Sequence, residues 1–167
     1  MPTPQDAIRH SVVVDAPPDR AFQFFTGALG RWWPIAYTFA GPQFQTAAVE
    51  PHPGGRWFER AVDGQETGWG EVRRWAPPRE LVLSFAITPD RRPAPPGAAS
   101  EVAVRFTPEG TARTRIEVEH RDFERHGPEG GPALRQGMDS PQGWPLILAE
   151  LRRALARDAR IGEAAAP

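Results

Sequence analysis

Short runs of alternating hydrophobic and polar residues dominate the chain, and glycine or proline pairs separate them. Three such runs, roughly 55–62, 66–75 and 80–87, are divided by an Asp-Gly pair and a Pro-Pro pair. Alternation with a period of two residues is typical of half-buried strands, and turns this short join antiparallel neighbours. The stretch therefore predicts an antiparallel meander, and its many aromatic residues favour a sheet that curves around a core.

Further strands are predicted on both sides of this meander. A β-branched run at 10–15 predicts a first strand, and a short run at 46–50 predicts a second. Residues 88–100 are rich in proline and predict a loop. Two alternating runs follow, at 101–106 and 114–120. We therefore expect six to seven strands, and the short connections imply antiparallel pairing.

Helical spacing of apolar residues marks both ends of the strand series. Ala21, Phe22, Phe25 and Leu29 share one face and predict a helix after strand 1, with a second short helix around Trp32. Residues 124–140 are rich in Gly and Pro and predict a loop with one helical turn near residues 133–134. Near the C-terminus a long amphipathic helix is predicted by the apolar residues Trp144, Ile147, Leu148, Leu151 and Leu155. Its proline, Pro145, implies that this helix begins near Gly143 or is kinked there.

This order of elements predicts one α+β domain over residues 1–167, with a core at about 8–158 and flexible ends. A helix with one apolar stripe must cover one face of the sheet. The net charge of −1 and the absence of a basic stripe argue against nucleic acid as a partner. The apolar runs are too short for membrane insertion, and the N-terminus has no secretory pattern, so a cytoplasmic protein is expected.

The residue types that the chain lacks exclude several chemistries. The sequence contains no Cys, and all 20 of its basic residues other than His are Arg. Thiolate catalysis, thiolate metal sites and lysine Schiff bases are therefore excluded. The four His lack the spacing of metal ligands, so no metal site and no cofactor are predicted.

Several turn and strand signatures occur in an order that resembles the START-like, or SRPBCC, superfamily. The closest resemblance is to the branch named after the activator of the heat-shock protein 90 ATPase, and it covers about residues 8–158. The signatures are Asp15-Ala16-Pro17-Pro18, Gly54-Gly55-x-Trp57, Gly68-x-Gly70-x-Val72, Pro77-Pro78-Arg79-x-Leu81-Val82 and Gly143-Trp144.

The resemblance implies a helix-grip fold, in which a strongly curved antiparallel sheet grips the C-terminal helix and encloses a cavity. Members of the superfamily bind lipids, sterols, polyketides or other apolar molecules, and some catalyse aromatisation or cyclisation. This chain departs from the family where Arg121-Asp122-Phe123 replaces a small residue and Gly before the final Phe. Its loop at 88–100 is also long. Both departures fall at the expected rim of the cavity.

Two polar residues are candidates for a ligand contact. In the strand at 55–62 the arginines mark the solvent face, so Trp57 and Glu59 should point inward. His120 shares the inward face of the last strand with apolar residues. One hypothesis is that Glu59 and His120 form a polar pair that fixes a ligand hydroxyl or carbonyl. The alternative is that each residue satisfies a backbone or loop group.

Aromatic residues supply the remaining candidates. Trp32, Phe85 and Trp144, together with Trp57, are expected to line the cavity, because they come from the helices and the sheet that enclose it. The alternation places Trp69 and Trp75 on the outer face with Glu71 and Arg73. An exposed Trp pair would indicate a partner surface instead.

Three functions remain open at this point. The first is a binding module for a small apolar or aromatic molecule, without catalytic residues. The second is an aromatase- or cyclase-type enzyme that uses Glu59 and His120 as proton shuttles. The third is a stress-related co-chaperone that acts through its surface. The sequence favours the first and leaves both catalysis and a homodimer open.

Overall fold

A computed structural model describes residues 6–165 of the chain. Its centre is a seven-stranded antiparallel sheet with the order β1-β7-β6-β5-β4-β3-β2. The predicted flexible ends fall partly on residues 1–5 and 166–167, which lie outside the described residues. The strands are β1 (Ile8–Val14), β2 (Phe44–Val49), β3 (Arg56–Ala61), β4 (Glu66–Ala76), β5 (Glu80–Phe85), β6 (Ser100–Pro108) and β7 (Thr114–Arg121).

The predicted meander is confirmed. β3, β4 and β5 pair in sequence order, and β5 pairs with β6 across the proline-rich loop. The first strand joins the far edge by pairing with β7, so that Ile8 lies opposite His120. The sheet order therefore follows the chain from β2 to β7 and then returns to β1.

Strand β4 carries two irregularities that overturn the outward placement of Trp69 and Trp75. Its pairing with β3 skips one residue at Trp69, and its pairing with β5 skips one residue at Arg73. Each extra residue reverses the alternation and bends the strand. Trp69 is therefore 1% exposed, and the Trp75 ring packs against Phe22. The predicted placement of Trp69 and Trp75 on the outer face is therefore wrong.

Four α-helices complete the fold: α1 (Pro18–Gly27), α2 (Leu29–Trp32), α3 (Gly127–Asp139) and α4 (Trp144–Ala165). The first two confirm the pair predicted after β1. α4 begins at Trp144, so Pro145 lies in its first turn, where a missing N–H costs little. None of the helices among the described residues has the length and apolar character needed to cross a membrane.

Helix α3 is much longer than the single turn expected at residues 133–134. Pro128 stands in its first turn, where proline is tolerated, but Pro132 lies inside the helix. Leu134 is buried and belongs to the core cluster. Tertiary packing of this face outweighs the weak helix propensity of glycine and proline.

The core lies between the concave face of the sheet and α4. All five stripe residues of α4 (Trp144, Ile147, Leu148, Leu151 and Leu155) are at most 2% exposed. Burial of each such side chain contributes about 1.5–3 kcal/mol. This arrangement confirms the predicted α+β helix-grip fold, with its curved sheet around the C-terminal helix.

Candidate functional site

A cavity of about 250 Å³ opens between the end of β5, the segment after α2, and the α3–α4 pair. This volume lies just below the range of roughly 300–1,000 Å³ that is typical of small-molecule sites. Its walls are mainly aromatic and aliphatic, with a few polar groups at the mouth. Residues that line it include Trp33, Tyr37, Phe85, Ile87, Arg91, Leu134, Gly137, Met138 and Ile147.

Trp33 is an aromatic residue of the cavity wall with an unusual hydrogen-bonding state. It directly follows α2, is 5% exposed, and lines the cavity. Its indole Nε1 is the one buried side-chain nitrogen or oxygen of the described residues that has no hydrogen-bond partner. The sequence did not single out Trp33, and its position beside Trp32 gave no signal of which indole would face the cavity.

The mouth of the cavity carries an arginine. A guanidinium nitrogen of Arg91 donates a hydrogen bond to the Ala36 carbonyl oxygen at 2.8 Å. The guanidinium carbon lies 4.8 Å from the centre of the Tyr37 ring, a cation–π distance. Tyr37 in turn donates its hydroxyl to the Gln142 carbonyl oxygen at 2.8 Å. These contacts hold the residue 35–37 turn, the β5–β6 loop and the α3–α4 junction together.

Glu59 points inward from β3, as the alternation predicts, and is 1% exposed. One carboxylate oxygen accepts hydrogen bonds from the Phe39 backbone N–H at 2.7 Å and the Trp69 indole N–H at 2.8 Å. The other oxygen accepts from the Ala40 backbone N–H at 2.7 Å. Glu59 therefore anchors the irregular segment between α2 and β2 to the sheet.

His120 is fully buried on β7, and protein groups occupy both of its ring nitrogens. Nδ1 accepts from the Trp144 indole N–H at 3.1 Å, and Nε2 lies 2.8 Å from the Ser100 hydroxyl. Because an indole N–H only donates, Nδ1 carries no proton, and Nε2–H must donate to Ser100. Burial, with a smaller effect from nearby His126, holds the pKa of His120 well below its usual value.

The hydrogen-bond chain continues from Ser100 to His126, in the turn before α3. Nε2 of His126 accepts from the Ser100 backbone N–H at 3.0 Å and lies 2.8 Å from the Ser100 hydroxyl. Burial lowers the pKa of His126, and a hydrogen bond to the Phe85 backbone partly offsets this. The chain from Trp144 through His120 and Ser100 to His126 thus links α4, β7, β6 and the start of α3 behind the cavity.

The six predicted ligand residues occupy two different layers. Phe85 lines the cavity, and its ring lies 4.8 Å from that of His120. The others belong to the packed layer behind the wall, where Trp32 donates to the Phe25 carbonyl oxygen and Trp57 to that of Ser84. Glu59 and His120 share no hydrogen bond among the described contacts. Direct ligand contact stays a prediction for all six residues: Trp32, Trp57, Glu59, Phe85, His120 and Trp144.

A second depression, of about 510 Å³, lies between β1 and α4. Its wall combines small apolar side chains with His10, Arg152 and Arg153. His10 is hydrogen-bonded to Asp139 at 2.7 Å, and Arg153 pairs with Glu150. This open depression lacks the aromatic wall of the first, which makes the smaller cavity the better candidate site.

Among the side chains that the structure describes, no three of His, Asp or Glu lie close enough together to hold a metal ion. The helix-grip fold and its lateral cavity define a START-like domain. The family model described as activator of Hsp90 ATPase homolog 1-like protein matches residues 15–156. The chain belongs to this family.

Solved structures with the same fold include two that are about one third identical to this chain. An anthrahydroquino-gamma-pyrone synthase, Txn09, is 32% identical, with a TM-score of 0.64, over 92% of this chain and 99% of its own. CalC, a self-sacrificing resistance protein from Micromonospora echinospora, is 30% identical, with a TM-score of 0.67, over 93% of this chain and 97% of its own.

More distant structures share the fold alone. Protein NE0264 from Nitrosomonas europaea is 17% identical, with a TM-score of 0.65, over 93% of this chain and 97% of its own. A search of curated proteins finds no significant match. The family and fold are therefore well defined, whereas a particular activity does not follow from them.

Proposed function

We propose that this protein binds a compact aromatic or otherwise apolar molecule in the cavity between β5, α3 and α4. The observation that carries the proposal is the lining of this cavity. Its wall is mainly aromatic and aliphatic, and the polar side chains among the lining residues are those of Thr88, Arg91, Ser140 and Gln142 together with Tyr37 and Trp33. Ligand sites of proteins combine such a wall with a few convergent polar groups.

The residues of the site fall into two groups: those that would contact the ligand, and those that hold the contact residues in place. Phe85, Trp33 and Leu134 offer the apolar contact area, as all three line the cavity. Glu59 and His120 act behind them, because their polar atoms are engaged with protein partners. In this proposal they fix the shape of the wall, and shape provides most of the selectivity.

A second candidate function is enzymatic ring closure. The name of the neighbour that is 32% identical, a gamma-pyrone synthase, favours it. A 1-(2-hydroxyphenyl)-1,3-diketone would be a suitable probe, since its phenol oxygen attacks the distal carbonyl and one water leaves to give a γ-pyrone. Faster loss of water with protein than with buffer, followed by mass spectrometry, would support catalysis. An unchanged rate would contradict catalysis and leave ligand binding as the proposed function.

The co-chaperone alternative receives less support. The large exposed hydrophobic residues of the described part of the chain are Ile35, Val62 and Ile161, which lie in three separate segments of the chain. The names of Txn09 and CalC refer to biosynthesis and resistance. A cytoplasmic location and a homodimer stay predictions, which fractionation and light scattering would test.

Gly137 offers a direct test of the cavity. A Cβ placed there meets no atom within 4 Å, and Gly137 lies on the same face of α3 as Leu134. Gly137→Phe should fill the cavity and weaken binding of 2-naphthoate at least about tenfold in calorimetry. Gly137→Ala is the matched control, because it changes the backbone preference of α3 without filling the space.

Native mass spectrometry of protein purified from its own host complements this test. A small molecule that co-purifies with the natural protein and the Gly137→Ala variant, but not with Gly137→Phe, would support the proposal. Equal binding of 2-naphthoate by all three proteins would contradict it.

A further inference from the structure

Burial divides the wall of the cavity into two layers. The buried side chains of the wall are all aromatic or aliphatic, and they form what we call the floor: Trp33, Phe85, Ile87, Leu134 and Ile147. The polar atom among them, the Trp33 indole nitrogen, is itself enclosed by protein atoms and presents no surface to the cavity. The floor therefore offers a ligand no side-chain partner for a hydrogen bond.

The other polar side chains of the wall lie at the mouth. They are partly or fully exposed, and they come from three separate segments of the chain: Tyr37, Thr88, Arg91, Ser140 and Gln142. Neither Asp nor Glu occurs among the described residues that line the cavity. The capacity of the wall to bind a polar group is therefore concentrated at its opening.

Gln142 has a fixed backbone and an uncommitted side chain. Its carbonyl oxygen accepts the Tyr37 hydroxyl at 2.8 Å, whereas its side-chain amide has no hydrogen-bond partner among the described residues. The Tyr37 ring also contacts the Arg91 guanidinium, and one hydrogen bond to the Ala36 carbonyl oxygen leaves further N–H donors of that guanidinium available. Tyr37 thus brings two groups with available N–H donors to one part of the mouth.

We propose that the ligand is an amphiphile with one polar end, whose apolar rings lie on the floor while its oxygen-bearing end stays at the mouth. This inference rests on the proposed binding function. The Gln142 amide donates to the polar end and is a specificity-determining group. A second polar group at the opposite end would lose its water on the floor without gaining a partner, which disfavours binding.

Three naphthalenes test this orientation in the natural protein. 2-Naphthol has one polar end, 6-methyl-2-naphthol adds an apolar group at the opposite end, and naphthalene-2,6-diol has a hydroxyl there instead. Methyl and hydroxyl groups are similar in size, so the last two probes differ in polarity rather than in fit. In calorimetry the diol should bind at least about tenfold more weakly than 6-methyl-2-naphthol, because either orientation places one hydroxyl on the floor.

A variant of Gln142 tests where the polar end lies. Gln142→Ala should weaken binding of 2-naphthol about fivefold, as the loss of one net hydrogen bond predicts, and should leave the affinity for naphthalene unchanged. Gln136→Ala is the matched control, because Gln136 is another exposed glutamine, on α3, and is not among the residues that line the cavity. It should leave both affinities unchanged. Circular dichroism establishes that each variant is folded.

The outcomes distinguish this inference from the function on which it rests. Equal binding of the diol and 6-methyl-2-naphthol, with both weakened by Gly137→Phe, would overturn the inference and leave the cavity as a ligand site. An unchanged affinity for 2-naphthol in Gln142→Ala, or the same loss in Gln136→Ala, would also overturn it. Failure of every naphthalene probe to bind, 2-naphthoate included, would overturn the inference and the binding function together.

Discussion

The carboxylate of Glu59 offers the sharpest test of how the cavity wall is held. It accepts three hydrogen bonds, from the Phe39 and Ala40 backbone and from the Trp69 indole, and it is 1% exposed. Glu59→Ala removes all three acceptors at once. Glu59→Gln keeps the oxygen that serves Phe39 and Trp69 but turns an amide NH₂ toward the Ala40 N–H, so that two donors face each other.

The sizes of these two effects follow from the burial of the donors. Leaving a buried donor without its partner lowers the free energy of unfolding by about 1–3 kcal/mol. The Trp69 indole is enclosed and should bear the full cost, whereas the partly exposed backbone at 39–40 regains some bonds with water. Glu59→Ala should therefore lower the free energy of unfolding by about 3–5 kcal/mol, and Glu59→Gln by about 2 kcal/mol. The first value is a large part of the roughly 5–15 kcal/mol that stabilises a typical domain.

Urea unfolding followed by circular dichroism measures both changes from the shift of the midpoint. Glu71→Ala is the control, since Glu71 is an exposed glutamate on β4, and its loss should stay within about 0.5 kcal/mol. A loss below about 1 kcal/mol for Glu59→Ala would refute the reasoning, because the enclosed Trp69 indole alone should cost about 1–3 kcal/mol when it loses its acceptor.

Two further predictions concern the sheet and the histidines. Gly70→Ala should destabilise the fold by more than about 2 kcal/mol in urea unfolding, because its Cβ would stand 2.0 Å from the Ser84 carbonyl oxygen and its φ is +151°; a neutral effect would contradict this. Stability should fall as the pH drops from 7 to about 5, since His120 and His126 have lowered pKa values in the folded state and the unfolded chain gains their protons below about pH 6.5. The slope should reach at most about 1.4 kcal/mol per pH unit from His120 and less from half-buried His126. His126→Gln should reduce the slope, and a flat profile would refute the assignment.

The strands and their inward faces were predictable because their signals are local. Alternation along β3 and β7 placed Trp57, Glu59 and His120 inward, and all three are buried. The two irregularities of β4 were not predictable, because each arises from pairing with a particular neighbour strand. α3 was missed for a related reason, since its packing against β1 and α4 offsets the weak helix propensity of its glycine and proline residues and is not visible in the local sequence.

The candidate site was predictable only as far as side-chain direction. An inward polar residue either faces a ligand or meets a protein donor, and the alternation is the same in both cases. Glu59 accepts hydrogen bonds from the backbone at 39–40. This segment is irregular and has no hydrophobic periodicity from which its position could be predicted. Trp33 shows the opposite case, because its missing partner is visible only after every neighbouring acceptor has been placed.

The position of Trp33 also means that tryptophan fluorescence should report whether the cavity is occupied. Its ring centre lies between 5.1 and 6.1 Å from those of Trp32, Trp57, Trp69 and Trp144. At such separations excitation energy passes readily from one indole to the next. An absorbing molecule beside Trp33 would therefore quench the emission of this cluster of five indoles together.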